Sequence, residues 1–259
     1  MNWGSRRKFV ILGIMWTAIF ATVTVFVYSK FFNKTPTCFD NTQNQDEGGV
    51  DCGGVCALLC YNESRPPIVS YSRLFKIGPG AYSALALVEN PNQSVYSKSL
   101  SYVFKIYDVN NILLFEVPGR TFVPSARVFP IYEHSILTGN REASKITFEI
   151  IDPENIRWEK GVYRDVDLRV NNVSNEIVDT RARVTADIIN NEVYPVKDFQ
   201  VVAVVYDEQG NAQESSSTIV DYISPNDKTG VSFTWNYPFD FSVSKIDIIP
   251  RAVPREWSR

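Results

Sequence analysis

The sequence predicts an all-β protein behind one membrane helix: an N-terminal transmembrane segment, a short disulfide-rich stretch and two tandem immunoglobulin-like antiparallel β-sandwiches. Three observations carry this. Phe9 to Tyr28 is a run of twenty residues without a charge, and all four cysteines fall between Cys38 and Cys60. The rest of the chain repeats itself at a period near one hundred residues, with strand-length alternation in each copy. The boundaries that follow are a cytoplasmic N-terminus over 1–8, a membrane helix over 9–28, a cysteine segment over 37–60, a linker over 61–67, and sandwiches over 68–160 and 161–259.

A helix rises about 1.5 Å per residue, so the apolar run matches the roughly 30 Å hydrocarbon core of a bilayer. A cleaved signal peptide would end in a small-x-small site. Here the bulky residues continue to Phe31 and Phe32, and the segment is expected to stay as a signal anchor. Arg6, Arg7 and Lys8 precede it, against Lys30 and Lys34 beyond. That bias keeps the N-terminus in the cytoplasm and places the C-terminal domains outside the cell membrane.

Four cysteines outside the cytoplasm read as two disulfides, through Cys38, Cys52, Cys56 and Cys60, with three pairings open. Their spacings of thirteen, three and three residues do not make the C-x2-C pairs of a zinc site. Between the first two cysteines stand Asp40, Asn44, Gln45, Asp46, Glu47 and Asp51 around Gly48-Gly49. Calcium takes six to eight oxygens of this kind, so Asp40, Asn44, Asp46, Glu47 and Asp51 are candidate calcium ligands. The competing expectation is that they shape turns. The pattern C-x-D-x3-N-x2-E-x3-D-C-G-G-x-C-x3-C resembles a small cysteine motif of exported and surface proteins of bacteria and archaea, although Asn41 stands where Gly is common. The resemblance implies an extracytoplasmic setting and no reaction.

The linker Tyr61 to Pro67 ends in two prolines, which stiffen a chain and donate no ladder hydrogen bond. Beyond it, Leu100 to Asp108 matches Phe199 to Asp207, Asn90-Pro91 faces Asn190-Asn191, and Phe122 to Pro124 faces Ile223 to Pro225. Ser144-Lys145-Ile146 returns as Ser244-Lys245-Ile246, and Arg157-Trp158 as Glu256-Trp257.

In the first copy, strands are expected at 69–75, 82–88, 100–107, 112–117, 128–136 and 145–151, broken by Gly, Pro and Asn clusters, Pro118-Gly119 among them. In the second they are expected at 165–170, 181–189, 199–206, 212–220, 230–235 and 245–249. Leu100, Tyr102, Phe104 and Ile106 share one face, as do Phe199, Val201, Ala203 and Val205. Val103 and Tyr107 in the first copy, and Val202 and Val204 in the second, keep the opposite face partly apolar, which marks a strand inside a sheet. With no cysteine in either copy, packing must hold them, and Trp158 and Trp235 are candidate anchors.

The stretch VVAVVYDEQGNAQESSSTIVDYISPNDKTGVSFTW resembles the FxLYD type of bacterial extracytoplasmic β-sandwich. Tyr206-Asp207, Gly210, Pro225 and Phe233 occupy that family's places, with Asn226 where it carries Gly. The first copy is similar but looser, with Asn110-Asn111 replacing the Gly turn. The resemblance implies membrane-anchored envelope proteins and brings no catalytic residues.

No reaction is legible. The single histidine, His134, lies between Glu133 and Ser135 on an expected strand, where neighbours point to opposite faces and a relay is poor. There is no nucleophile elbow, P-loop, dinucleotide fingerprint or zincin motif. Asp165 and Asp167 point the same way from one expected strand, but nothing in the sequence marks them as the acid and base of glycoside hydrolysis. Arg164, Arg169, Arg181 and Arg183 are interleaved with Asp165, Asp167, Asp179 and Asp187, as on a solvated face. The net charge of −3, or −6 once Arg6, Arg7 and Lys8 are set aside, gives no nucleic-acid surface. Asn-x-Ser/Thr sequons start at Asn33, Asn62, Asn92 and Asn172.

The function expected is therefore that of a non-catalytic, single-pass envelope or cell-surface protein that binds or scaffolds another envelope protein or a surface polymer. Loops near Asn92, Gly119 and Gly210 are the first candidates for contact, and the oligomeric state stays open. The alternatives are a calcium-dependent sensor or adhesion module built on the acidic loop, and an envelope enzyme without a recognisable motif.

Overall fold

The computed structural model describes residues 3–31, 37–44, 46–161 and 165–254, in two compact units, Met1–Cys56 and Ala57–Arg259. Phe32, Asn33, Lys34, Gln45, Arg164, Glu256 and Trp257, which figure in the expectations above, lie outside the described residues.

In the first unit, α1 (Trp3–Phe31) holds a stretch, Arg7–Tyr28, of mean hydropathy 2.3 with no part buried. It is one helix long and apolar enough to cross a membrane. Among its described residues the cysteine segment has no regular strand, only isolated bridges between Gly49 and Cys52 and between Leu58 and Glu159. All four cysteines are disulfide-bonded, Cys38 with Cys56 and Cys52 with Cys60. A segment too short to bury a core is thereby stapled.

The second unit begins with β1 (Ile68–Gly78), β2 (Ala81–Glu89), β3 (Val95–Tyr107), β4 (Leu113–Val123), β5 (Val128–Leu137), β6 (Lys145–Ile150) and the two-residue β7 (Glu159–Lys160). The second copy supplies β8 (Leu168–Val178), β9 (Arg181–Asn190), β10 (Val196–Tyr206), β11 (Ala212–Ile223), β12 (Lys228–Thr234) and β13 (Lys245–Arg251). The antiparallel sheets run β1-β2-β5 and β4-β3-β6, then β8-β9-β12 and β11-β10-β13, with β7 on the start of β3. The two copies share one topology.

Local devices repeat with the strands. Asn90 is buried and donates to Val95 O and Pro124 O; Asn190 is buried and donates to Tyr194 O, Ile223 O and Ser224 O. Each asparagine ties the loop after one strand to the end of a strand in the facing sheet. The bonds put Pro124 opposite Ser224, one residue off the register that aligning the two prolines suggests. Asp108 accepts the N–H of Asn110 and Ile112, as Asp207 accepts those of Gln209 and Asn211. The turn needs a positive φ at its fourth residue, supplied by Gly210 (78°) and by Asn111 (58°). Lys145 lies over the Tyr107 ring and Lys245 over Tyr206.

Three boundaries differ from expectation. Strand β8 runs on to Val178 because a register shift between Asn171 and Ser174 absorbs the asparagine pair, with Asn172 at φ 53°. Asp165 and Asp167 precede it and sit on no strand. Strand β4 passes through Pro118-Gly119, because an edge strand tolerates proline and Gly119 lets the Tyr102 ring lie against it, a Cβ there falling 2.4 Å from that ring. The linker is no free spacer: Arg65 donates its N–H to Asn92 Oδ1 and accepts from Asn92 Nδ2, both at 2.8 Å.

Leu100, Tyr102, Phe104 and Ile106 fill one core with Trp158, and Phe199, Val201, Ala203 and Val205 fill the other with Trp235. A third core joins the copies. Phe75, Leu85 and Tyr132, on the outer face of β1-β2-β5, pack against Val202, Val204, Tyr206 and Ala212, on the outer face of β11-β10-β13. The two apolar faces of β10 thus serve two different interiors. Around this seam the hydroxyls of Tyr71 and Tyr206 meet at 3.3 Å, and Asn236 Nδ2 donates to Ile77 O. The Arg251 guanidinium stacks 4.0 Å from the Phe122 ring centroid while donating to Phe122 O and Thr121 Oγ1, and Arg127 pairs with Asp165.

Candidate functional site

The acidic loop of the first unit spends its oxygens on its own backbone. Asp51 accepts the N–H of Asp40 and of Asn41, each at 2.9 Å. Asp40 accepts the N–H of Thr42 and the side-chain amide of Asn44, and the buried Glu47 accepts the N–H of Asn44 at 3.1 Å. Asp46 is exposed. No three of Asp40, Asp46, Glu47 and Asp51 bring carboxylate oxygens within 4.8 Å of one another. Among the described residues the set that meets that distance is Cys38, Glu47 and Cys56, and its two sulfurs are bonded to each other. Of the five candidate calcium ligands, Asp40, Glu47 and Asp51 accept N–H groups of the loop, Asn44 donates its amide to Asp40 while its Oδ1 is buried without a hydrogen-bond partner, and Asp46 is exposed.

The candidate contact loops fare differently. Asn92 is committed to Arg65 and Asn90, Gly119 lies inside β4, and Gly210 is at a hairpin tip. Glu133 turns inward to accept the Tyr102 hydroxyl at 2.7 Å, whereas His134 is exposed, so the two do not form a relay. Asp167 holds Asn191. On β9, Arg181, Arg183 and Asp187 lie on the outer face, Asp187 pairing with Lys228 at 2.9 Å. The Lys228 ammonium and then the Asn172 amide hold the Asp187 carboxyl below its usual range.

A cleft of about 520 Å³ lies beside the seam between the copies. Six successive residues of β11, Glu214 to Ile219, form one wall. Lys76 and Ile77 from the end of β1, with Tyr132 and His134 of β5, form the other. Trp235, Asn236 and Tyr237, just past β12, close the end.

Burial pushes the Glu214 carboxyl up to about 7, with Asp240 adding to the rise and a hydrogen bond from the Trp235 side chain opposing it. Glu214 faces the second core, opposite Val205, at the open edge of that sheet. Burial likewise raises the Tyr132 hydroxyl, which donates to Ser215 O at 3.5 Å. The cleft therefore offers a carboxyl that changes charge near neutrality, an imidazole, an ammonium and a row of small hydroxyls.

Sequence reasoning singled out His134 and Trp235 but not the cleft they share. The signal available was the run Glu-Ser-Ser-Ser-Thr at 214–218, small and polar inside a strand and free of Lys, Arg and Pro.

No family model matches the chain, and no curated protein matches it. Solved structures that it matches include a red sea bream transglutaminase, at a TM-score of 0.23 and 10% identity, over 74% of this chain and 32% of that one. The chain thus spans about a third of that protein, and a likeness of this size bears on neither fold nor activity.

Proposed function

We propose that this chain is a non-catalytic, single-pass envelope protein with a cytoplasmic N-terminus, holding two fused β-sandwiches outside the membrane to bind another envelope protein or a surface polymer. The observation that carries this reading is the third core. Tandem domains on a flexible tether need no apolar seam, whereas a shared interior of Leu85, Val202 and Val204 makes the pair one rigid body with a cleft of fixed shape. The apolar helix, the basic residues before it and the two disulfides support the membrane and compartment assignments. The FxLYD resemblance supports the envelope setting. The acidic loop, built as a hydrogen-bonded turn, favours a stalk over a calcium sensor.

Crosslinking in native membranes followed by mass spectrometry tests this. A stable neighbour, recovered through sites on the second unit, is the expected result. Recovery of the protein alone, or digestion of the second unit only after cell lysis in a protease-shaving experiment, overturns it.

A further inference from the structure

We propose that the cleft is a strand-addition site, in which an extended peptide segment of a partner protein pairs, main chain to main chain, with the open edge of β11. The inference rests on reading the chain as a binding module and says what kind of ligand that module takes.

Side chains alternate between faces along a strand, so a cavity on one face of a sheet touches every second residue. This cleft touches Glu214 to Ile219 without a gap. It therefore runs along the backbone edge, and β11 pairs on its other side with β10 alone. An edge presents a row of unpaired N–H and C=O groups, and the ligand whose donors and acceptors repeat at the same interval is another extended backbone.

The remaining edges in the second unit are guarded by Pro, basic residues or register shifts, whereas β11 carries one inward carboxylate, Glu214, at its start and no such guard beyond it. Pro118 within β4, Pro130 within β5 and Pro250 within β13 each take an N–H donor out of an edge strand. Strand β1 carries Arg73, Lys76 and two register shifts, β8 carries its own shift, and the short β6 and β12 begin with Lys145 and Lys228. From Glu214 to Ile223, β11 holds one register with β10 and has no Pro, Lys or Arg. Bare edges of this length invite pairing, and proteins retain them where pairing is used.

The surroundings commit the slot to a single strand. Lys76, Ile77 and His134 line the cleft across from the edge, and the Tyr132 hydroxyl already donates to Ser215 O, so the space beside β11 is a slot and not an open sheet margin. Ser216, Ser217 and Thr218 are small enough to leave the backbone reachable. Ile219 and Tyr237 are 58% and 53% exposed and offer an apolar seat for one ligand side chain.

The test uses the full chain in lipid nanodiscs and a random dodecapeptide phage library. Selected peptides are resynthesised with and without N-methyl groups at alternate positions, and affinity is read by fluorescence anisotropy. Strand addition predicts enriched peptides whose affinity falls at least tenfold on N-methylation and on Ser217→Pro. Ser217→Lys, which guards the edge without removing an N–H, is the second variant should proline unfold the sheet, and amide exchange of 214–219 should slow on binding. No enrichment over Ser217→Lys, equal binding of N-methylated peptides, or a nanodisc dimer abolished by either variant overturns the proposal. A neighbour crosslinked in membranes but indifferent to Ser217→Lys would leave the binding function standing and remove only its strand-addition form.

Discussion

Replacing Leu85 by Ala should destabilise both copies at once. Leu85 is fully buried in the third core, against a β10 whose Val202 and Val204 are also fully buried. Truncation of such a leucine costs about 2–5 kcal/mol, the transferred methyl groups plus the cavity left behind. For a folded unit of this size that is a fall in Tm of roughly 4–20 °C. The internal control is Val103, which occupies in the first copy the place of Val202 in the second but packs into none of the three cores. Val202→Ala should therefore cost more than Val103→Ala. Trp158 and Trp235 report separately on the first and second cores, so urea unfolding followed in single-tryptophan variants gives one curve for each. Coincident curves that shift together in Leu85→Ala are expected. Were the Trp235 curve to stay in place while the Trp158 curve moved, the copies would be independent beads and the rigid cleft would lose its basis.

Glu214 gives a pH test. Its folded-state pKa is raised to about 7, so the folded chain holds a proton that the unfolded chain releases. No penalty exists at low pH where both forms are protonated; it grows as pH rises from the unfolded carboxyl value through the folded one and is complete above it. Discounted for solvent screening, the penalty is about 1–2 kcal/mol, so Glu214→Gln should raise stability by that amount at pH 8 and flatten the slope between about pH 4.5 and 7.5 in urea titrations. A variant that is neutral at pH 8 refutes the assignment. Asn190→Ala removes the three hydrogen bonds its amide donates and the one its Oδ1 accepts from the Glu192 N–H, and should cost about 2–3 kcal/mol, measured by chemical denaturation. Gly119→Ala drives a methyl into the Tyr102 ring, which Glu133 and the neighbouring Phe104 and Phe148 rings hold in place, and should lower Tm by several degrees. Millimolar calcium should shift Tm by less than about 1 °C, and a larger rise would restore the acidic loop as a metal site.

Most of the strand plan was legible because its signals are local. Alternation named the core faces of β3 and β10, and the Tyr-Asp turns and returning Ser-Lys-Ile placed the second copy on the first. Where reading failed, a remote partner decided. Pro118-Gly119 reads as a break, yet an edge position and the Tyr102 ring keep β4 continuous. The two prolines before the first sandwich read as a spacer, yet Asn92 clasps Arg65. The oxygens between Cys38 and Cys52 match calcium by composition, and only geometry reveals that those of Asp40, Glu47 and Asp51 accept N–H groups of the loop itself. The cleft was invisible for the same reason, since its walls come from opposite copies.

The third core was nevertheless written in the repeat, in the positions where the copies disagree. On the outer face of β2 stand Ser83, Leu85 and Leu87, and the corresponding places on β9 hold Arg183, Thr185 and Asp187. On β10 stand Val202 and Val204, and β3 offers Val103 and Lys105 there. One apolar face of each copy therefore meets the other, in a head-to-tail contact that could in principle add a third module and continue. The outermost faces are charged instead: Lys105 pairs with Glu149 and Lys228 with Asp187. Burying either pair against a new sheet would strip charges of water without new partners, a cost larger than the apolar area could offset. The same few substitutions thus make one face of each copy apolar and leave its other outer face charged.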